Sequence, residues 1–137
     1  PGHESARPLP DLALAAGAGP IGCAPFAVMR QAKAIRERDW AAADALGAKF
    51  RWAEQAMMPN GDFAKFMDYS IPIAHCRFKT AGIFDPGPPR PPYIFLPDEY
   101  REGGLECGRR WAEIEAEFGR GAQGAEGAAP PRVAAET

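Results

Sequence analysis

The run from Asp39 to Met57, DWAAADALGAKFRWAEQAM, decides the class of fold. Within it Ala43, Leu46, Phe50, Ala53 and Met57 recur at alternating spacings of three and four, the signature of one apolar face on a helix of 3.6 residues per turn. Asp39 suits the N-cap, where a carboxylate accepts the orphan amides of the first turn. Upstream, between Phe26 and Arg38, Val28, Ala32 and Ile35 share a face while Arg30, Lys33, Arg36 and Glu37 fall mostly elsewhere, so a second amphipathic helix precedes the first. Ahead of it, Gly19-Pro-Ile-Gly-Cys-Ala-Pro25 reads as a short buried strand near Ile21 that turns sharply into the helix at Pro25.

Downstream, Pro59-Asn60-Gly61-Asp62 is a dense turn signal, and Asp62 is placed to cap a helix carrying Phe63, Phe66 and Met67. Pro72 is costly inside a helix but suits its first turn. Tyr69-Ser70 is therefore expected to be a break, after which a new helix carries Ile71, Ala74, Phe78 and Ala81 on one face and ends at Gly82. The prolines between Asp85 and Tyr93 remove amides and restrict their predecessors, which predicts an extended or polyproline strap. Pro97, Asp98 and Glu99 open a last helix with the stripe Tyr100, Gly104, Cys107, Trp111, Ile114 and Phe118. Gly104 and Gly108 weaken that helix by about 1 kcal/mol each relative to Ala, so a neighbouring backbone is expected to approach closely there. Four segments carry helical stripes and none alternates with period two, so the expected fold is mainly α with at most one short strand.

Composition excludes several classes of function. A formal net charge of -2 provides no basic footprint for nucleic acid. No apolar run approaches the ~20 residues of a membrane span, and the N-terminus lacks both a cationic region and a long apolar core, so neither a membrane protein nor a signal peptide is expected. Cys23, Cys76 and Cys107 are odd in number and widely spaced, which reads as reduced thiols in the cytoplasm rather than a disulfide framework or a zinc site. His3 and His75 are the only histidines, too few for a two-histidine metal site, and His75 reads as an ordinary polar helix residue. Lys33, Lys49, Lys65 and Lys79 all fall among charged neighbours, whereas an imine-forming lysine needs a desolvated pocket. Gly17-Ala-Gly-Pro-Ile-Gly22 imitates a phosphate loop, but proline at its fourth position and the lack of a later ribose-binding acid speak against one. Trp52, Phe63, Phe66 and Trp111 are expected in the core.

Six blocks carry a resemblance: Met58-Pro-Asn-Gly-Asp-Phe-Ala-Lys-Phe66, Tyr69, Ala81-Gly82, Gly87-Pro-Pro-Arg-Pro-Pro-Tyr93, Pro97-Asp-Glu-Tyr100 and Gly108-Arg-Arg-Trp111. In order and spacing they resemble the C-terminal helices of the dihydrodipicolinate synthase and N-acetylneuraminate lyase family, most closely its trans-o-hydroxybenzylidenepyruvate hydratase-aldolase branch. The resemblance covers roughly Gly17 to Phe118. It implies part of a (β/α)8 TIM barrel, consistent with a chain of 137 residues where a whole barrel takes ~250. Residues 12–118 would supply the last strand and helix of an incomplete barrel plus appended helices, between an irregular segment 1–11 and a disordered tail 119–137. The segment before Leu12 does not look like the family's seventh strand and helix, so a truncated or artificially started reading frame is expected.

The family's imine-forming lysine, its tyrosine proton shuttle and its carboxylate-binding turn have no counterpart here, so no catalytic residue is assigned. Gly22, Cys23, Phe66 and Ser70 would line the substrate pocket, with Ser70 standing where the branch usually has asparagine. The resemblance implies no cofactor and no metal, a pyruvate adduct as the small-molecule substrate of the complete parent, no nucleic acid or membrane partner, and a homo-oligomeric parent. An inactive fragment of a Schiff-base aldolase is the favoured reading. The competing one is a non-enzymatic helical module that docks partners through overlapping PxxP spacings at Pro88 to Pro92. The tail from about Gly121 has almost nothing to bury, so limited proteolysis is expected to trim it first; resistance there with cleavage inside Trp40 to Met57 would contradict this reading.

Overall fold

The computed structural model describes residues 19–119, and five helices account for most of them. Helix α1, Pro25–Arg36, opens with proline at its first turn, where the missing N–H would have no intrahelical partner anyway. Helix α2, Trp40–Gln55, starts as its sequence suggests: Asp39 Oδ1 accepts from the Ala42 amide at 3.2 Å. A 3-10 turn, Pro59–Gly61, leads into the short α3, Phe63–Asp68, capped by Asp62 Oδ1 accepting from the Lys65 amide at 3.1 Å. Tyr69 breaks the chain before α4, Ser70–Ala81, and Gly82 ends α4 in the left-handed conformation at φ 74°, which glycine adopts without steric cost. After the strap comes α5, Asp98–Ile114, which passes into a π-helical turn at Glu115–Gly119.

The most extensive contact is between α4 and α5; α2 packs on α5, and α1 packs on α2 and the π turn. Close approach makes the α4–α5 contact possible. A Cβ on Gly104 would stand 3.0 Å from the Ile73 carbonyl oxygen and 2.9 Å from Cys76 Cβ, and one on Gly108 would overlap the Arg77 carbonyl oxygen and Thr80 Oγ1. Thr80 Oγ1 donates across this contact to the Leu105 carbonyl at 2.7 Å. The expected stripe is the buried face of α5: Tyr100, Gly104, Cys107, Trp111 and Ile114 are all buried, as is Gly108. They meet Ala53, Met57 and Ile73 in the main core, where the Phe50 and Trp111 rings lie 4.9 Å apart. A smaller cluster of Ala34, Ile35 and Ala43 joins α1 to α2.

At the other end of α1, the buried Glu115 reaches across the fold, and its two carboxylate oxygens accept from the Phe26 and Ala27 amides at 3.1 and 3.0 Å. A carboxylate at the positive end of a helix dipole, bonded to two orphan donors, both caps α1 and fastens it to α5.

Four expectations need correction. The stretch around Ile21 is not a strand but a 3-10 turn, Gly19–Gly22, with the Cys23 and Ala24 amides both donating to the Pro20 carbonyl at 2.8 and 3.0 Å. No strand exists among the described residues to offer a ladder, so the backbone satisfies its polar groups locally. On α4, Ala81 is buried and Phe78 packs on the core as expected, but Pro72 and Ile73 are buried and Ile71 is exposed, because the α5 glycines admit the row that runs through Ile73, Arg77 and Thr80. Trp52 and Phe63 are exposed rather than core, and Trp52 instead lies under the Arg110 guanidinium at 4.8 Å. The strap is irregular at the surface, held by Gly87 O at 3.3 Å from His75 Nδ1, and it closes in a turn with the Tyr93 amide donating to the Arg90 carbonyl at 2.9 Å. Residues 1–18 and the tail after Gly119 lie outside the described residues, and so does the Phe118 side chain.

Replacing Gly108 with alanine sets two effects against each other. Helix propensity favours alanine by about 1 kcal/mol, but no rotamer relieves a clash with a backbone carbonyl, so α4 must shift. We expect Gly108→Ala to lose a net ~1–3 kcal/mol, the usual range for overpacking, read from the denaturant midpoint; a neutral or stabilised variant would refute the close contact.

Candidate functional site

The 3-10 turn places Gly22 against the C-terminal part of α4. A Cβ there would stand 2.9 Å from Phe78 Cε1 and 3.5 Å from Phe84 Cε1, so the missing side chain makes room for an aromatic pair whose ring centres are 5.0 Å apart. Cys23 follows directly and is wholly buried in the main core. Phe66 is half-buried on α3, packed on the same core with its ring 5.8 Å from that of Phe63. Ser70 is the half-buried first residue of α4. Ser70 and Phe78 stand about 12 Å apart along that helix at about 1.5 Å per residue. Gly22 and Cys23 therefore gather at one end of α4, and Phe66 and Ser70 at the other.

Burial pushes the Cys23 thiol up to about 11, only partly opposed by Arg77. Cys107 is also raised by burial, with Glu54 adding to the effect, and Cys76 moves the same way for the same first cause. All three cysteines are free, and raised thiols are poor nucleophiles because the thiolate is the reactive form. Among the described residues no group of three or more His, Cys, Asp or Glu is placed to hold a metal ion, and no helix is long and apolar enough to cross a membrane.

Sequence reading missed the polar cluster at the centre of the fold. Glu54 Oε1 accepts from Trp111 Nε1 at 2.9 Å and from the Arg77 guanidinium at 3.3 Å, which joins α2, α4 and α5. Arg77 also lies 5.1 Å from the centre of the Phe78 ring, and its Nε is buried without a hydrogen-bond partner among the described residues. The signal available was Glu54 lying beside Ala53 and one turn after Phe50, at the edge of the apolar stripe of α2. Chemically the cluster is a carboxylate held by a guanidinium and an indole, an arrangement that orients three helices and contains no activated nucleophile.

Burial is the largest influence on Glu54 and raises its carboxyl pKa above the ordinary glutamate value, against the opposing pull of Arg77 and Trp111. A raised folded-state value means that the contribution of this group to stability is full below the unfolded value and declines as pH rises through the folded one. Glu54→Gln keeps an acceptor for Trp111 and is expected to flatten the fall in stability across that window. Glu54→Ala strands two donors and should cost about 1–3 kcal/mol. Thermal melts between pH 4 and pH 7 check both; an unchanged pH slope in Glu54→Gln would contradict the assignment.

No protein-family model matches the chain. Among curated proteins it is 44% identical over 104 residues to the trans-2'-carboxybenzalpyruvate hydratase-aldolase of Nocardioides sp. (strain KP7), covering 76% of this chain and 31% of that protein. It is 32% identical over 120 residues to the trans-O-hydroxybenzylidenepyruvate hydratase-aldolase of Pseudomonas aeruginosa, covering 85% of this chain and 36% of that protein. Among solved structures, PhdJ bound to a substrate intermediate superimposes with a TM-score of 0.80 at 35% identity, over 85% of this chain and 36% of PhdJ. The chain thus spans about a third of the length of the curated relatives it matches, a partial coverage that fits their C-terminal portion. Sequence and helical fold agree on one kinship: the homologues of this chain are hydratase-aldolases, and it is similar to their C-terminal portion.

Proposed function

We propose that this chain is the helical C-terminal portion of a pyruvate-dependent Schiff-base aldolase whose complete form cleaves aryl-substituted pyruvate adducts to an aldehyde and pyruvate. The observation that carries the reading is the joint agreement of sequence, at 44% identity to one hydratase-aldolase, and of fold, at a TM-score of 0.80 to PhdJ. In such chemistry a lysine imine with the pyruvate carbonyl acts as the electron sink for carbon–carbon cleavage. This portion contributes wall and scaffold to that site and does not supply the lysine. Lys33, Lys65 and Lys79 are exposed, and Lys49 is ion-paired with Glu117 at 2.8 Å. None stands in the desolvated pocket that an imine-forming lysine needs.

In this reading Gly22 and Cys23 at one end of α4, and Phe66 and Ser70 at the other, are lining residues. The Ser70 hydroxyl offers one donor and acceptor lone pairs where an asparagine would present a paired donor and acceptor, which favours a differently substituted adduct. The substrate is a small molecule, the complete enzyme is a cytoplasmic homo-oligomer, and nucleic acid and membrane play no part.

Two measurements test the proposal. Incubation of the 137-residue chain with pyruvate and borohydride is expected to leave its intact mass unchanged; a stoichiometric adduct on Lys33, Lys49, Lys65 or Lys79 would overturn the scaffold role. Grafting this chain in place of the matching third of the Nocardioides enzyme should yield a protein that releases pyruvate from trans-2'-carboxybenzalpyruvate. A folded graft that releases none would sink the family function for this chain.

A further inference from the structure

Helix α3 is anomalous: six residues long and rich in apolar side chains, it buries none of them fully, and only Phe66 packs on the core. Phe63 is 62% exposed and Met67, one turn further on, 53%. Ile71 continues the exposed apolar run at the start of α4. From the far side of the strap, Tyr93, Ile94 and Phe95 are three consecutive exposed apolar residues, with Phe95 at 70%. Tyr69 draws the two segments together, its ring 6.4 Å from that of Phe95 and 5.2 Å from that of the buried Tyr100. Exposed Lys65 and Asp68 supply a polar edge on the same short helix.

Exposed apolar side chains on two segments that meet through the Tyr69–Phe95 ring pair, with charged residues beside them, mark a contact surface. A six-residue helix also has little stability of its own in water, so its apolar side is best explained by something that covers it. The lengths of the relatives say what that is. The helical arrangement recurs at a TM-score of 0.80 as only 36% of PhdJ, so about two thirds of that chain lies beyond the matched part and is available to pack against it. We propose that the face formed by Phe63, Met67, Ile71, Tyr93, Ile94 and Phe95 docks the portion of a hydratase-aldolase that this chain does not match. The inference rests on the function proposed above and adds which surface makes the contact. Phe66 and Ser70 belong to the same two helices and are half-buried beside these exposed residues in the sequence.

The test co-expresses the 137-residue chain with a tagged Nocardioides hydratase-aldolase lacking its matching third, and measures how much chain is retained on the tag. Retention near one-to-one is expected. Met67→Asp and Phe95→Asp should each lower it at least tenfold, while Met29→Asp, an equally exposed change on α1, leaves it unchanged. The isolated variants should keep the parent's circular dichroism and melting temperature, since both sites are open to water in the isolated chain. Failure of the wild-type chain to be retained, including recovery of the tagged portion only as aggregate, overturns the proposal. So does equal retention of the Asp variants, loss with Met29→Asp alone, or an isolated chain that is a dimer and becomes monomeric with Met67→Asp and Phe95→Asp. Pyruvate release reads the other question: retained complex without release refutes the proposed function and leaves the docking face standing, whereas release with equal retention of the Asp variants refutes the face alone.

Discussion

The contact of Gly104 and Gly108 with the backbone of α4 is the constraint on which the rest of the fold depends. Two helices that approach until a carbonyl occupies the space of a missing Cβ leave almost no freedom to slide or rotate. That fixed phase turns Cys107 and Trp111 into the core and sets Arg77 opposite Glu54. Thr80, bonded to the Leu105 carbonyl, adds a directional bond to what is otherwise steric fit. The cost of about 1 kcal/mol for each helical glycine is offset by the dispersion contacts that close packing allows.

What the sequence made legible was local. Asp39 and Asp62 cap their helices through carboxylate bonds within one turn, and Gly82 ends α4 because a left-handed residue is needed there. These features are decided by neighbours three or four positions away, so a linear reading finds them. On α4 periodicity places Ala81 and Phe78 correctly but not Ile73, because the glycines of a distant helix select the row that runs through it and leave Ile71 exposed. The turn at Gly19–Gly22 reads as a strand in the sequence because strand character depends on a ladder partner, which no single segment reveals.

The candidate site was less legible than the fold. Spacing alone assigned no chemistry to Gly22, Cys23, Phe66 or Ser70; only the resemblance did, and in the folded chain the two pairs stand at opposite ends of α4. The buried trio of Glu54, Arg77 and Trp111 escaped notice for a related reason. Glu54 lies one position off its apolar stripe and reads as solvated until the indole and guanidinium of two other helices are brought to it. Charged residues are assigned to the surface by default, and the exceptions depend on partners remote in sequence.

The cap on α1 comes from Glu115, 89 residues beyond the Phe26 amide it receives. On a ribosome, which delivers the chain from its N-terminus onward, α1 emerges with its first amides unsatisfied and stays so until the end of α5 has been made. Its retention in the fold is therefore a late event in biosynthesis, and the nascent chain must wait in a looser state, with Ala27 and Val28 not yet sealed against their neighbours. A stop codon before Glu115 would leave α1 permanently without its fastening, even with every residue of that helix in place.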